Sequence, residues 1–208
     1  MQVDWKTVVP VNKLNYIMGN PPFVGASMMS AEQKAEAVSI FGKIKLSNSI
    51  DYVGAWYYKA AELLANTSIR AAFVSTNSIT QGEQVAPLWG TLYSKYRIHI
   101  DFAYRTFRWD SEASVKAHVH CVIIGFSATA NQALKHIYTH ERVQIVQNIS
   151  PYLIDGPTVF IASRSKPICD VPPMYLGNKP SDGGNLILSA EERLNILCLL
   201  YTSDAADE

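Results

Sequence analysis

The sequence predicts an α/β fold organised around a mostly parallel sheet with an antiparallel hairpin at one edge. Strand-like and helix-like segments alternate up to about residue 96, as in chains that build a parallel sheet through helical crossovers. Two strongly β-favouring runs, 98–104 and 117–126, then follow with only a polar loop between them, which suits an antiparallel pair. The chain has 208 residues, 48% hydrophobic and 17% charged, enough apolar material for a real core in little more than one ordinary domain.

The elements follow in order. Residues 14–18 form a short apolar run stopped by Gly19, Asn20, Pro21 and Pro22, which predicts a buried strand ending in a rigid loop. Ala31 to Phe41 is rich in Ala, Glu, Gln and Lys behind Ser30, a helix with its cap. A second helix starts near Asp51, with Val53, Trp56, Tyr57, Ala60, Leu63 and Leu64 at helical spacing and Asp51 as N-cap or first-turn acid. Residues 70–75 read as a strand and 78–96 as a helix interrupted around Pro87. The strands 98–104 and 117–126 complete the hairpin, joined by the polar loop 105–116. Residues 133–140 suggest one more strand. The Pro- and Gly-rich stretch 149–185 reads as a loop-rich connection to another domain, and a helix begins at 191–197.

Composition excludes several classes. Disorder does not fit this apolar content, and no apolar run approaches the roughly 20 residues of a membrane helix. The N-terminus lacks a basic region followed by an apolar stretch, so a cytoplasmic location is expected. Cys121, Cys169 and Cys198 are too far apart for a C-x-x-C metal or redox site. Eighteen basic against 18 acidic residues gives no sign of a nucleic-acid partner. Residues 198–208, however, resemble the translated read-through of a sequencing-library adaptor and are set aside as a non-native tail. Without Asp204, Asp207 and Glu208 the balance is 18 against 15.

Asn20, Pro21, Pro22 and Phe23, directly after a strand, resemble motif IV, the N-P-P-[YF] signature of enzymes that methylate an exocyclic nitrogen, and the resemblance implies the following chemistry. An exocyclic amine such as adenine N6 is a poor nucleophile because its lone pair is delocalised into the ring. The Asn20 amide oxygen and the Pro21 carbonyl can each accept one of its N–H groups and aim the lone pair at an electrophilic methyl. The two prolines fix the carbonyl direction by locking φ. Phe23 would stack on the base, a contact worth about 1–3 kcal/mol.

This tetrapeptide resembles motif IV of the S-adenosylmethionine-dependent amino-methyltransferases. Residues 51–61 look like motif V, 73–84 like motif VI, and 107–109 through 119–126 like motifs VII and VIII. Residues 163–167 and 177–186 resemble the approach to the target-recognition domain of one subgroup, the MmeI-like Type IIG restriction enzymes, which join an endonuclease and an adenine-N6 methyltransferase in one polypeptide. The resemblance runs from about Asn15 to Leu197. It implies the C-terminal half of a Rossmann-like class I methyltransferase sheet over 1–128 and a connection into the target-recognition domain over 129–197. S-adenosylmethionine is the implied cofactor and double-stranded DNA the implied partner. The Gly-rich cofactor loop of the family has no counterpart here, so the 208 residues are expected to be inactive by themselves.

By the same resemblance, Phe107 or Trp109 at the mouth of the 105–116 loop would hold a flipped adenine opposite Phe23, replacing the stacking that flipping forfeits. Asp51 and Tyr52 would approach the cofactor, although an N-cap role explains Asp51 equally. Arg105, Arg108, Arg164 and Lys166, in loops near the inferred active face, are candidates for phosphate contacts. His118 and His120 alternate on a strand and face the same way, but no third ligand is visible and no metal is expected. Residues 181–185 resemble a phosphate loop only superficially, since no Lys-Ser/Thr follows. Two rival readings stand beside adenine methylation: an enzyme acting on a protein glutamine or on RNA, and a DNA-binding specificity fragment without catalysis.

Overall fold

The computed structural model describes residues 4–42, 44, 47–109, 119–129, 133–164, 166–172 and 187–204. The chain divides into two compact units, 1–163 and 164–208. The first holds helices α1 (Trp5–Val8), α2 (Ala31–Phe41), α3 (Gly54–Leu64) and α4 (Val85–Tyr96) and strands β1 (Tyr16–Gly19), β2 (Arg70–Thr76), β3 (His99–Trp109), β4 (Val119–Ser127), β5 (Lys135–Tyr138) and β6 (Val143–Val146). In the second, α5 (Ala190–Asp204) is the one regular element among the described residues.

The strands form one open sheet in the order β1-β2-β4-β3-β5-β6. β1 pairs parallel with β2 and β3 with β5, while β2 with β4, β3 with β4 and β5 with β6 are antiparallel. The α/β class and the mixed pairing are as expected. The hairpin is not the sheet's last element, however, because β5 docks beside β3 and β6 folds back on β5. β6 was not anticipated: Val143, Gln144 and Ile145 are all exposed, so the segment lacks the alternation that marks a half-buried strand.

Period-two burial fixes the sheet's orientation. Ala71, Phe73 and Ser75 of β2 are buried while Ala72, Val74 and Thr76 are only half-buried. The core gathers on the first face. Tyr57 of α3 is fully buried there, its ring 5.3 Å from Phe73, 5.5 Å from Trp89 and 5.1 Å from Phe126, so one tyrosine joins α3, α4, β2 and β4. Trp89 donates its indole N–H to the Ile79 carbonyl at 2.8 Å, which satisfies the one polar atom that it buries.

Local chemistry explains the helix boundaries. Ser30 and Gln33 form a reciprocal capping box, at 3.2 and 3.0 Å, and Gly42 ends α2 at a φ of 59°. Pro87 does not interrupt a helix. It is the third residue of α4, where the N–H has no intrahelical partner to lose, and the break comes earlier, at Gly82 with a φ of 57°. The strand at 14–18 exists as β1 but is not buried, with Tyr16 66% and Met18 79% exposed. Among the described residues it lies at the sheet edge and pairs only with β2. β3 extends to Trp109, with register shifts between Ile100 and Phe102 and between Tyr104 and Phe107, so the loop expected from residue 105 starts later. No helix among the described residues is long and apolar enough to cross a membrane.

Candidate active site

β1, β2, β3 and β5 run in one direction and β4 and β6 in the other, so four carboxyl ends and the starts of β4 and β6 lie at one end of the sheet. In open α/β sheets this end is where ligands bind. The Asn20–Phe23 loop leaves β1 there. Asn20 and Pro22 are exposed, Pro21 is buried and Phe23 is half-buried. The buried proline anchors the loop while the asparagine amide stays in reach of solvent.

The residues behind the loop hold it. Asp51 is 7% exposed, and its Oδ1 accepts the Ala26 N–H at 2.8 Å while its Oδ2 accepts the Ser78 hydroxyl. Ser78 Oγ also lies 2.8 Å from Thr76 Oγ1 at the end of β2. Its single proton goes to the carboxylate, so Thr76 is the donor of that pair. The Asp51 N–H reaches Gln84 Oε1 at 2.9 Å, and the Tyr52 N–H donates to the Val24 carbonyl at 2.9 Å. The Tyr52 hydroxyl donates to Glu36 on α2. Burial, then the hydrogen bond and charge of Glu36, push the phenol up to about 12, so it stays a donor. Two adjacent residues thus bind the site loop, α2 and the turn after β2 into one assembly.

A family model for the MmeI DNA-methyltransferase domain matches residues 1–139, and one for the MmeI target recognition domain matches residues 155–203. The chain belongs to the MmeI methyltransferase family. It is 42% identical over 194 residues to DNA methyltransferase A of Bacillus subtilis (strain 168), covering 92% of this chain and 22% of that protein. The Type IIL restriction-modification enzyme MmeI, solved in complex with DNA, superposes with a TM-score of 0.86 at 47% identity over 95% of this chain and 27% of its own. The chain thus spans about a quarter of the length of each of these two relatives.

Against this family background, the structure sorts the remaining candidates. Asp51 is not the N-cap of α3. That position is Val53, which makes no side-chain cap, and both Asp51 carboxylate oxygens are taken up within the fold. The Tyr52 hydroxyl is likewise engaged with Glu36, so both side chains make hydrogen bonds within the fold. Phe107 and Trp109 sit in β3 rather than in a loop, paired with Cys121 and Val119. The Phe107 ring lies edge-on to Tyr104 at 5.4 Å. β3 and β1 are three strand spacings apart, about 14 Å, with the strand ends that carry Phe107 and lead to Phe23 at the same end of the sheet.

Arg105 and Arg108 are exposed, also on β3 rather than in a loop. Arg164 and Lys166 are exposed in the second unit. His118, the motif at 177–186 and the side chain of Trp109 lie outside the described residues. Among the described residues no three His, Cys, Asp or Glu side chains come together. Sequence reasoning missed Ala26, Ser78 and Gln84 as partners of Asp51. Ser78 and Gln84 fall inside the motif VI resemblance, but nothing in the sequence links positions that far from Asp51.

Proposed function

We propose that the chain is the catalytic-loop portion of a restriction-modification enzyme that methylates the N6 amine of adenine in duplex DNA. The carrying observation is the loop after β1: an exposed Asn20 amide beside a buried Pro21, at the carboxyl end of a parallel strand and tied from behind at Val24 and Ala26. Asn20 Oδ1 and the Pro21 carbonyl accept the two amine protons, and Pro22 keeps that carbonyl from rotating. Phe23 stacks on the extruded base, and Phe107 or Trp109 lines the other side of its path. S-adenosylmethionine, when bound, would supply an electrophilic methyl group.

The match of 155–203 to the MmeI target recognition domain supports duplex DNA as the partner. Arg105, Arg108, Arg164 and Lys166 are the proposed phosphate contacts, and the enzyme works in the cytoplasm, with catalysis in 1–128 and the lead into recognition from 129. The 208 residues alone neither bind S-adenosylmethionine nor methylate DNA, which calorimetric titration checks.

The test is Asn20→Ala in a methylation-competent polypeptide carrying this segment. Labelled methyl transfer to DNA is expected to fall by about 10²- to 10³-fold, the effect of removing one hydrogen-bonding group from a reacting centre. Unchanged transfer would refute the reading in favour of a non-catalytic specificity module. Label appearing in RNA or protein and not in DNA would refute the substrate.

A further inference from the structure

We infer that Asp51 is a positioning residue for the Asn20–Phe23 loop, acting through the Ala26 N–H and the Ser78 hydroxyl rather than on the methyl donor. The inference rests on the proposed role of that loop. The two prolines stiffen the chain at 21 and 22, but stiffness alone does not aim it. The aim comes from where the loop's far end is fastened. That fastening is made one and three residues past Phe23, where Val24 is held by the Tyr52 N–H at 2.9 Å and Ala26 by Asp51 Oδ1 at 2.8 Å.

Asp51 is fastened in turn. Ser78 and, through it, Thr76 tie the carboxylate to the end of β2, the strand that carries β1, and Gln84 holds its backbone at 2.9 Å. Starting at Gly19, the path runs out through the loop, across Asp51 and back into β2, one strand over. A closed path of this kind sets the loop's height above the sheet. A carboxylate suits the role because it accepts from an amide and a hydroxyl at once, and such charge-assisted bonds exceed neutral ones in strength.

Asparagine separates positioning from charge. Asp51→Asn can still accept from Ala26 through its oxygen, and its NH2 can donate to Ser78, whose proton then turns to Thr76. Asp51→Ala makes neither bond. Amide hydrogen exchange of the 208-residue chain, read over peptides covering 23–28 with 119–127 as the folded control, measures the clamp without reference to activity. In Asp51→Ala, exchange over 23–28 is expected to quicken about ten- to hundredfold with the control unchanged, and Asp51→Asn is expected to restore most of the protection.

In a methylating polypeptide, Asp51→Ala lowers kcat and leaves KM for S-adenosylmethionine within about twofold, and Asp51→Asn recovers kcat. Unchanged exchange over 23–28 in Asp51→Ala overturns the inference. So does an Asn variant as impaired as the Ala variant with a raised donor KM, which would mean that the charge acts on the donor. If Asp51→Ala loses control protection as well, Ser78→Ala removes one of the two links, and loop exchange that is still at the parent rate overturns the clamp. Quickened exchange with methylation intact counts against the loop as the reacting site and leaves the clamp standing.

Discussion

Tyr57 buries a hydroxyl in the core, where Ser75 Oγ, itself fully buried, lies 3.0 Å away. Burial raises the phenol far beyond the range in which it would ionise, so the pair acts as a neutral hydrogen bond. Tyr57→Phe keeps the ring against Phe73, Trp89 and Phe126 but strands the serine hydroxyl. The expected loss is about 1–2 kcal/mol, a fall of a few degrees in Tm by calorimetry. His99 gives the pH dependence. Burial first, then the Lys135 ammonium, hold its imidazole below the ordinary 6.5, against the pull of Asp101. A depressed pKa contributes stability that is present above 6.5 and lost as the pH falls through the folded-state value. The urea midpoint should therefore drop between about pH 7.5 and pH 5.5, and His99→Gln should drop less.

At the scale of elements, strand β4 depends on Gly125 leaving room. A Cβ built there would stand 2.1 Å from the Phe102 ring, whose other neighbours include Tyr138 at a centroid distance of 6.4 Å. Gly125→Ala should cost about 1–3 kcal/mol in chemical denaturation, and combining it with Phe102→Ala should recover part of that cost because the clash disappears with the ring. What was legible in the elements follows a pattern. α2 was readable to the residue, since Ser30, Gln33 and the helix formers after them are neighbours in sequence. Pro87 was misjudged because its effect depends on whether it falls in the first turn or the interior, and the helix start was set by Gly82. β3 ran past its apolar stretch because its last residues pair with β4, a tertiary choice that the polar Arg105 and Arg108 conceal. At the site, the N-P-P-F loop was legible because its chemistry sits in four consecutive residues. The Asp51 clamp was not, because it joins positions 26, 51, 78 and 84, and an acid just before a helix looks like a cap.

At the scale of the whole molecule, the two family models divide the chain much as the structure does, with a methyltransferase match ending at 139, a recognition match beginning at 155, and compact units meeting at 163/164. The neutral charge balance that gave no hint of DNA is a property of the sum, whereas the proposed phosphate contacts are four individual cations. β1 has a further consequence. Among the described residues no strand covers its outer edge, and Tyr16 and Met18 stand out beside it, so one copy presents a template on which another can add a strand. The isolated chain is therefore expected to self-associate as its concentration rises, with light scattering increasing faster than linearly. Met18→Lys, which places a charge on that edge, should delay the onset. Preparations intended for exchange or denaturation measurements would be kept dilute for the same reason.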